Sequence, residues 1–266
     1  MLRARHVAAL LVPFALVGCA TFEFEPINIL STPQEIELGQ ELSTEVEKEK
    51  PLLDNPAIQA YVGEIGARLA RNAPRQDVAY TFKVIDDAET VNAFALPGGF
   101  MYVYTGLMTL CDNEAELAAV MAHEIAHVSC HHHGEQYTRL YGYDALMRVI
   151  LGEDPAQLHK LLADLIGASG AMYYSRENER EADAMGMEIL FRAGYRPEAM
   201  LTFMDKLGAR QEKTGQVWIP IFASHPRTPN RLALLDTLVQ KYPPSMRQAN
   251  PLYAERYQEK VLSVLK

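Results

Sequence analysis

Apolar residues recur at helical spacing through the first part of the chain. Ile36, Leu38, Leu42 and Val46 are expected partly inward on a segment from about Pro33 to Lys50, and Ile58, Val62, Ile65 and Leu69 recur at helical spacing from about Pro56 to Asn72; both segments predict helices. The period then shortens to two. Tyr80-Thr81-Phe82-Lys83-Val84-Ile85 alternates as a strand, and 91–95 and 100–105 read as two more, joined by the turn residues Leu96-Pro97-Gly98-Gly99. From Asn113 onward the pattern is helical almost throughout. The run Glu116-Leu117-Ala118-Ala119-Val120-Met121-Ala122 is rich in good helix formers and lacks Gly and Pro, and a later segment from Tyr174 runs through Met187, Leu190 and Phe191 toward Gly194, which ends it. The expectation is one α+β domain over 33–266, mostly helical, with a small β-sheet packed beside a helical bundle.

The front of the chain reads differently. Arg3 and Arg5 precede an apolar stretch over 7–17 that is too short to span a membrane, so 1–18 reads as an export signal. Leu16-Val17-Gly18-Cys19 looks like a lipoprotein cleavage box, which makes Cys19 a lipidation site and 19–32 a lipidated tether holding the domain at a membrane. Ala20 rather than Asp follows the cysteine, which by bacterial sorting habits points to the outer membrane, facing the periplasm. Loss of Arg3 and Arg5 leaves 23 of the 25 basic residues against 34 acidic ones, a net of −11, which argues against a nucleic-acid partner. Cys111 and Cys130 flank one helix and are expected too far apart to form a disulfide.

The chemistry lies in His123-Glu124-Ile125-Ala126-His127. On a helix, residues four apart share a face, so His123 and His127 aim their ring nitrogens at one point, where zinc fits. Glu124 beside them can act as general base toward a metal-held water. A third protein ligand is needed, and Glu179-Arg180-Glu181-Ala182-Asp183 supplies candidates on a second helix. Glu179 and Asp183 share a face, the first toward zinc and the second toward the N–H of a ligand histidine. Glu124-Ile125-Ala126-His127 is also half of a di-iron motif, but the chain has no second Glu-x-x-His. His131-His132-His133 reads as a solvated helix end rather than a second metal site, because His suits a helix C-terminus. Tyr137, Tyr141, Tyr143, Tyr173 and Tyr174 are candidates for core or cleft wall, and the polar stretch over 211–218 is equally a lid or a plain surface loop.

Four blocks together carry a family resemblance: Asn92-Ala93-Phe94-Ala95-Leu96-Pro97-Gly98-Gly99, the His123 to His127 motif, Glu179 to Asp183, and Ser224-His225-Pro226 with Arg231. In this order the chain resembles the HtpX and CAAX-prenyl-protease type of zinc metallopeptidase, a gluzincin family, and within it the periplasmic lipoprotein branch that includes LoiP and BepA. The resemblance implies one Zn2+ per chain, held by His123, His127 and Glu179. It implies Glu124 as catalytic base, His225 near the metal as oxyanion partner or resting-state cap, Asp183 behind a ligand histidine, and Arg231 in the cleft. Asn92, Ala93 and Phe94 would form a strand edge that holds substrate extended. A long C-terminal repeat domain, carried by BepA-like members, is not expected after Lys266. The implied activity is endopeptidase cleavage of misfolded or misassembled envelope proteins, with protein or peptide substrates as partners. The alternative is a lipid-anchored chaperone or assembly factor whose zinc site is latent beneath His225.

Overall fold

The computed structural model describes residues 28–166, 174–214, 221, 225 and 228–265, without the side chains of 165, 166, 211, 213 and 214. The export signal, Cys19, Tyr173, Ser224 and Pro226 lie outside the described residues.

Two N-terminal helices open the domain, α1 (Thr32–Glu49) and α2 (Pro56–Ala70). Ser31 and Gln34 form a capping box at the first, and the Asn55 side chain accepts from the backbone N–H groups of Ala57 and Ile58 at the second. Each thereby satisfies N–H groups that no helical carbonyl can reach. Three strands follow, β1 (Thr81–Ile85), β2 (Ala93–Ala95) and β3 (Phe100–Tyr104). The sheet order is β1-β3-β2: β1 runs parallel to β3 with Thr81 opposite Phe100, and β2 runs antiparallel with Ala93 opposite Val103. Gly98 makes the β2–β3 reversal possible. Its φ is +73°, and a Cβ there would sit 2.6 Å from the Ile36 Cα of α1.

The strand alternation sorts the sheet's two faces into two cores. Val84, Ala93, Ala95, Met101 and Val103 pack with α2 and the helices beyond, while Phe94, Tyr102 and Tyr104 pack with Leu38, Leu42 and Val46 of α1. The remaining helices are α3 (Thr105–Leu110), α4 (Glu114–Ser129), α5 (His132–Ile150), α6 (Pro155–Ile166), α7 (Arg176–Arg192), α8 (Glu198–Thr214) and α9 (Pro229–Gln240), followed by shorter helical turns to Leu265. Of the 211–218 stretch, 211–214 belong to α8, and 215–220 lie outside the described residues. No helix among the described residues is long and apolar enough to cross a membrane. Cys111 and Cys130 are free thiols.

Helix α4 is the centre of the domain. Every residue from Glu114 to Val128 is buried, so its Ala-rich sequence lets neighbours close in on all sides. Asn113 caps it, and Glu114 at its first turn accepts from Tyr61 at 2.5 Å, from Tyr195 at 2.7 Å and from Arg256. A buried carboxylate at a helix N-terminus is favoured by the helix dipole as well as by its paired cation.

Candidate metal centre

Helices α4 and α7 build the site between them. They approach so closely at Gly186 that a Cβ there would lie 3.0 Å from the His123 Cα and 3.1 Å from the His123 N. That contact sets Glu179 and Asp183 of α7 opposite His123 and His127 of α4. His123 Nε2 and His127 Nε2 are 3.1 Å apart, and Glu179 Oε1 lies 3.4 Å from His127 Nε2. His225 joins from the segment before α9, with its Nδ1 at 2.8 Å from Glu179 Oε1 and 3.2 Å from His123 Nε2. The ligand atoms of these four buried residues lie within 4.8 Å of one another.

The outward partners of the two α4 histidines decide which nitrogens face the centre. His123 Nδ1 is 3.2 Å from Asp183 Oδ1, a carboxylate that can only accept, so His123 donates from Nδ1 and its Nε2 lone pair points inward. His127 Nδ1 is 2.9 Å from His132 Nδ1, and His132 Nε2 is 3.3 Å from Glu181 Oε2. His132 therefore donates to Glu181 and accepts from His127, whose Nε2 lone pair also turns inward. Two imidazole lone pairs and a carboxylate converging at this range repel one another unless a cation lies between them. The donor set of imidazoles and one carboxylate suits zinc.

Charge and burial contend throughout the cluster. Burial pushes the Glu124 carboxyl above the ordinary carboxylate range, against the pull of His225 and His123 and of the Ala95 backbone N–H. Burial also acts upward on Glu179, but His225, His127 and Arg231 outweigh it and hold that carboxyl well below its usual value. Asp183 is lowered in the same way, burial being overcome by His123 and Arg231. Arg231 grips both carboxylates: Nε and Nη2 donate to Asp183 at 2.8 and 2.7 Å, and Nη1 stands 2.5 Å from Glu179 Oε2. Burial holds His127 well below its ordinary value.

Glu124 sits at the inner edge, 3.4 Å from His225 Nε2. β2 is an edge strand of the sheet and packs beside α4, with Asn92 just before it and Phe94 stacked on Tyr102 at 5.2 Å. Glu181, by contrast, turns away from the four donors, with its side chain 55% exposed. A pocket opens from His123 and Glu124 and is walled by Val120, Met200, Phe203, Met204, Leu207 and Ile221.

The histidine triplet departs from expectation. His132 and His133 are buried, at 1% and 2% exposure, rather than forming a solvated helix end. His131 adopts φ +60°, reverses the chain after α4 and starts α5, which drives the next two histidines inward. Among the candidate tyrosines, Tyr174 comes to the site: its ring stacks on His127 at 3.9 Å and on His225 at 5.1 Å. Its signal in the sequence is its place immediately before Ser175, the N-cap of the helix that carries Glu179.

The chain belongs to Peptidase family M48, whose profile matches residues 56–239. It is 32% identical over 215 residues to the Beta-barrel assembly-enhancing protease of Escherichia coli (strain K12), covering 77% of this chain and 44% of that protein. A similar match, 30% over 226 residues, covers 82% of this chain and 46% of the Putative beta-barrel assembly-enhancing protease of Vibrio cholerae. The Mitochondrial metalloendopeptidase OMA1 of Schizosaccharomyces pombe is 29% identical over 177 residues, 66% of this chain and 51% of the relative. The chain thus spans about half the length of the curated relatives it matches. The family is one of peptidases that use zinc, and the buried His123, His127, Glu179 and His225 of this chain could hold such a metal.

Proposed function

We propose that this chain is a zinc endopeptidase of the bacterial envelope, in which His123, His127 and Glu179 hold the metal and Glu124 is the catalytic base. The observation that carries the reading is the convergence of these donors with Glu124 at their edge. His123, His127 and Glu179 would hold zinc, which would supply Lewis-acid chemistry toward a peptide carbonyl and a water. Glu124 takes the proton of the attacking water on its carboxylate and returns it to the leaving amine, a transfer helped by the upward push that burial gives its pKa. Asp183 fixes the ring of His123 and Arg231 fixes Asp183. Asn92, Ala93 and Phe94 at the sheet edge hold the substrate extended, and the apolar pocket beside Glu124 takes a hydrophobic side chain next to the cut bond. Misfolded or misassembled envelope proteins expose such side chains, which supports them as the substrate class. Anchorage by a lipid on Cys19 at the outer membrane, facing the periplasm, belongs to the same proposal and rests on the sequence of 1–20.

One observation favours a second reading. His225 occupies the centre with the three other donors rather than standing back from it. Held there, it would cap a bound metal and keep the site latent, as a chaperone or assembly factor would require; moved outward, it would be placed to support the oxyanion. The test is cleavage of unfolded casein after chelation and after return of zinc, in the parent and in His225→Ala. Loss and recovery with the metal support the peptidase. A variant faster than the parent identifies His225 as a cap, and a slower one as an oxyanion partner. No cleavage by either chain with zinc bound refutes the peptidase reading.

A further inference from the structure

Cys130 and His132 take no direct part in the four-donor centre, yet the turn between α4 and α5 gives them a common neighbour. His131 reverses the chain, so Cys130 at the end of α4 and His132 at the start of α5 both face α7. There Glu181 and Met185 lie four residues apart, on one side of the helix. The Cys130 Sγ, a ring nitrogen of His132 and a carboxylate oxygen of Glu181 all lie within 4.8 Å of one another. His132 Nε2 is 3.3 Å from Glu181 Oε2, and Cys130 Sγ is 3.5 Å from the Met185 Sδ. The cluster is graded in exposure: His132 is buried, Cys130 half-buried and the Glu181 side chain 55% exposed, which leaves an entry path from solvent.

We propose that Cys130, His132 and Glu181 form a second, weaker site for a zinc-class divalent metal, antagonistic to the first. Thiolate, imidazole and carboxylate are the donors zinc takes, and three protein ligands leave a fourth position open. Burial and the facing Glu181 carboxylate push the Cys130 thiol far above its ordinary pKa, a repulsion that a divalent cation removes. Binding releases the thiol proton to solvent as the sulfur–metal bond forms. The proton on His132 Nε2 must move to Nδ1 when Nε2 takes the metal. Nδ1 then faces the Nδ1–H of His127 at 2.9 Å, donor against donor, and the ring that His127 directs at the first centre loses its support. By linkage each metal weakens the other.

The experiment is titration of the metal-free chain with Co2+, followed by absorption. The first centre has no sulfur donor, so the expected first equivalent shows d–d bands alone. The second, weaker equivalent brings a thiolate-to-cobalt charge-transfer band in the near ultraviolet. Cys130→Ser loses that band and the second equivalent while keeping the first, and Glu181→Gln, altered at an exposed position, weakens the second step alone. A single equivalent without the band, or a band that survives Cys130→Ser, overturns the proposal. Excess zinc is also expected to slow casein cleavage by the parent and not by Cys130→Ser. That arm rests on the peptidase reading; the cobalt stoichiometry does not.

Discussion

Replacing Arg231 by Met tests how the centre is held together. The substitution keeps much of the aliphatic bulk and deletes a guanidinium that is 7% exposed. Asp183 loses two donors at 2.8 and 2.7 Å, and Glu179 loses its cation at 2.5 Å, in surroundings where the two carboxylates are 1% and 2% exposed. Deleting one partner of a buried ion pair costs about 3–5 kcal/mol, because the other charge stays desolvated and unpaired. Asp183 keeps His123, and Glu179 keeps His127 and His225, so the low end, about 3 kcal/mol, is expected. The assay is urea unfolding of the chelated chain, so that metal binding does not enter the comparison. Arg231→Lys retains a charge but not the planar fork, and it should fall between parent and Met variant. A loss below about 1 kcal/mol for Arg231→Met, the scale of an exposed ion pair, would refute the reasoning.

Gly186→Ala places a methyl group against the backbone of His123, which cannot rotate away. Overpacking costs about 1–3 kcal/mol and helix propensity returns about 1 kcal/mol, so a net loss of up to about 2 kcal/mol is expected as α4 and α7 are pushed apart. Zinc affinity, read by competition with a chelating dye, should fall about tenfold or more; an unchanged affinity would mean that this approach does not set the donor spacing. His133 offers a pH test. Burial first, then the neighbouring His132, holds its pKa at about 3 against an ordinary 6.5. The folded pKa lies below the unfolded one, so the unfolded chain binds the proton more readily. Stability is full above pH 6.5 and drains as the pH falls toward 3, by up to about 5 kcal/mol for the whole shift. His133→Phe should flatten this part of the stability–pH curve relative to the parent, and parallel curves would count against it.

The sequence carried the local order of this fold well and its tertiary consequences unevenly. The apolar spacing of α1 and α2, the alternation of β1 and the Gly98 turn are short-range signals, and the elements fall within two residues of the pattern. The His123 to His127 spacing works for the same reason, since four residues on one helix fix a face. The burial of His132 and His133 depends instead on a single positive φ at His131 and on what α5 then packs against, neither of which has a periodic signature. The parallel pairing of β1 with β3 also joins segments that are not adjacent in the chain. Glu114 reads as an ordinary acidic residue at a helix start; its burial with Tyr61, Tyr195 and Arg256 comes from partners as far as 142 residues away.

The most direct measurement is casein cleavage by the chain loaded with one zinc, beside Glu124→Gln with its zinc content measured. The expected result is cleavage by the parent and equal zinc in the variant, with the rate lowered about 100-fold to 10,000-fold, the usual contribution of a general base. A variant that cuts at the parent's rate with the same zinc content would contradict the assignment of Glu124 and with it the account of this centre.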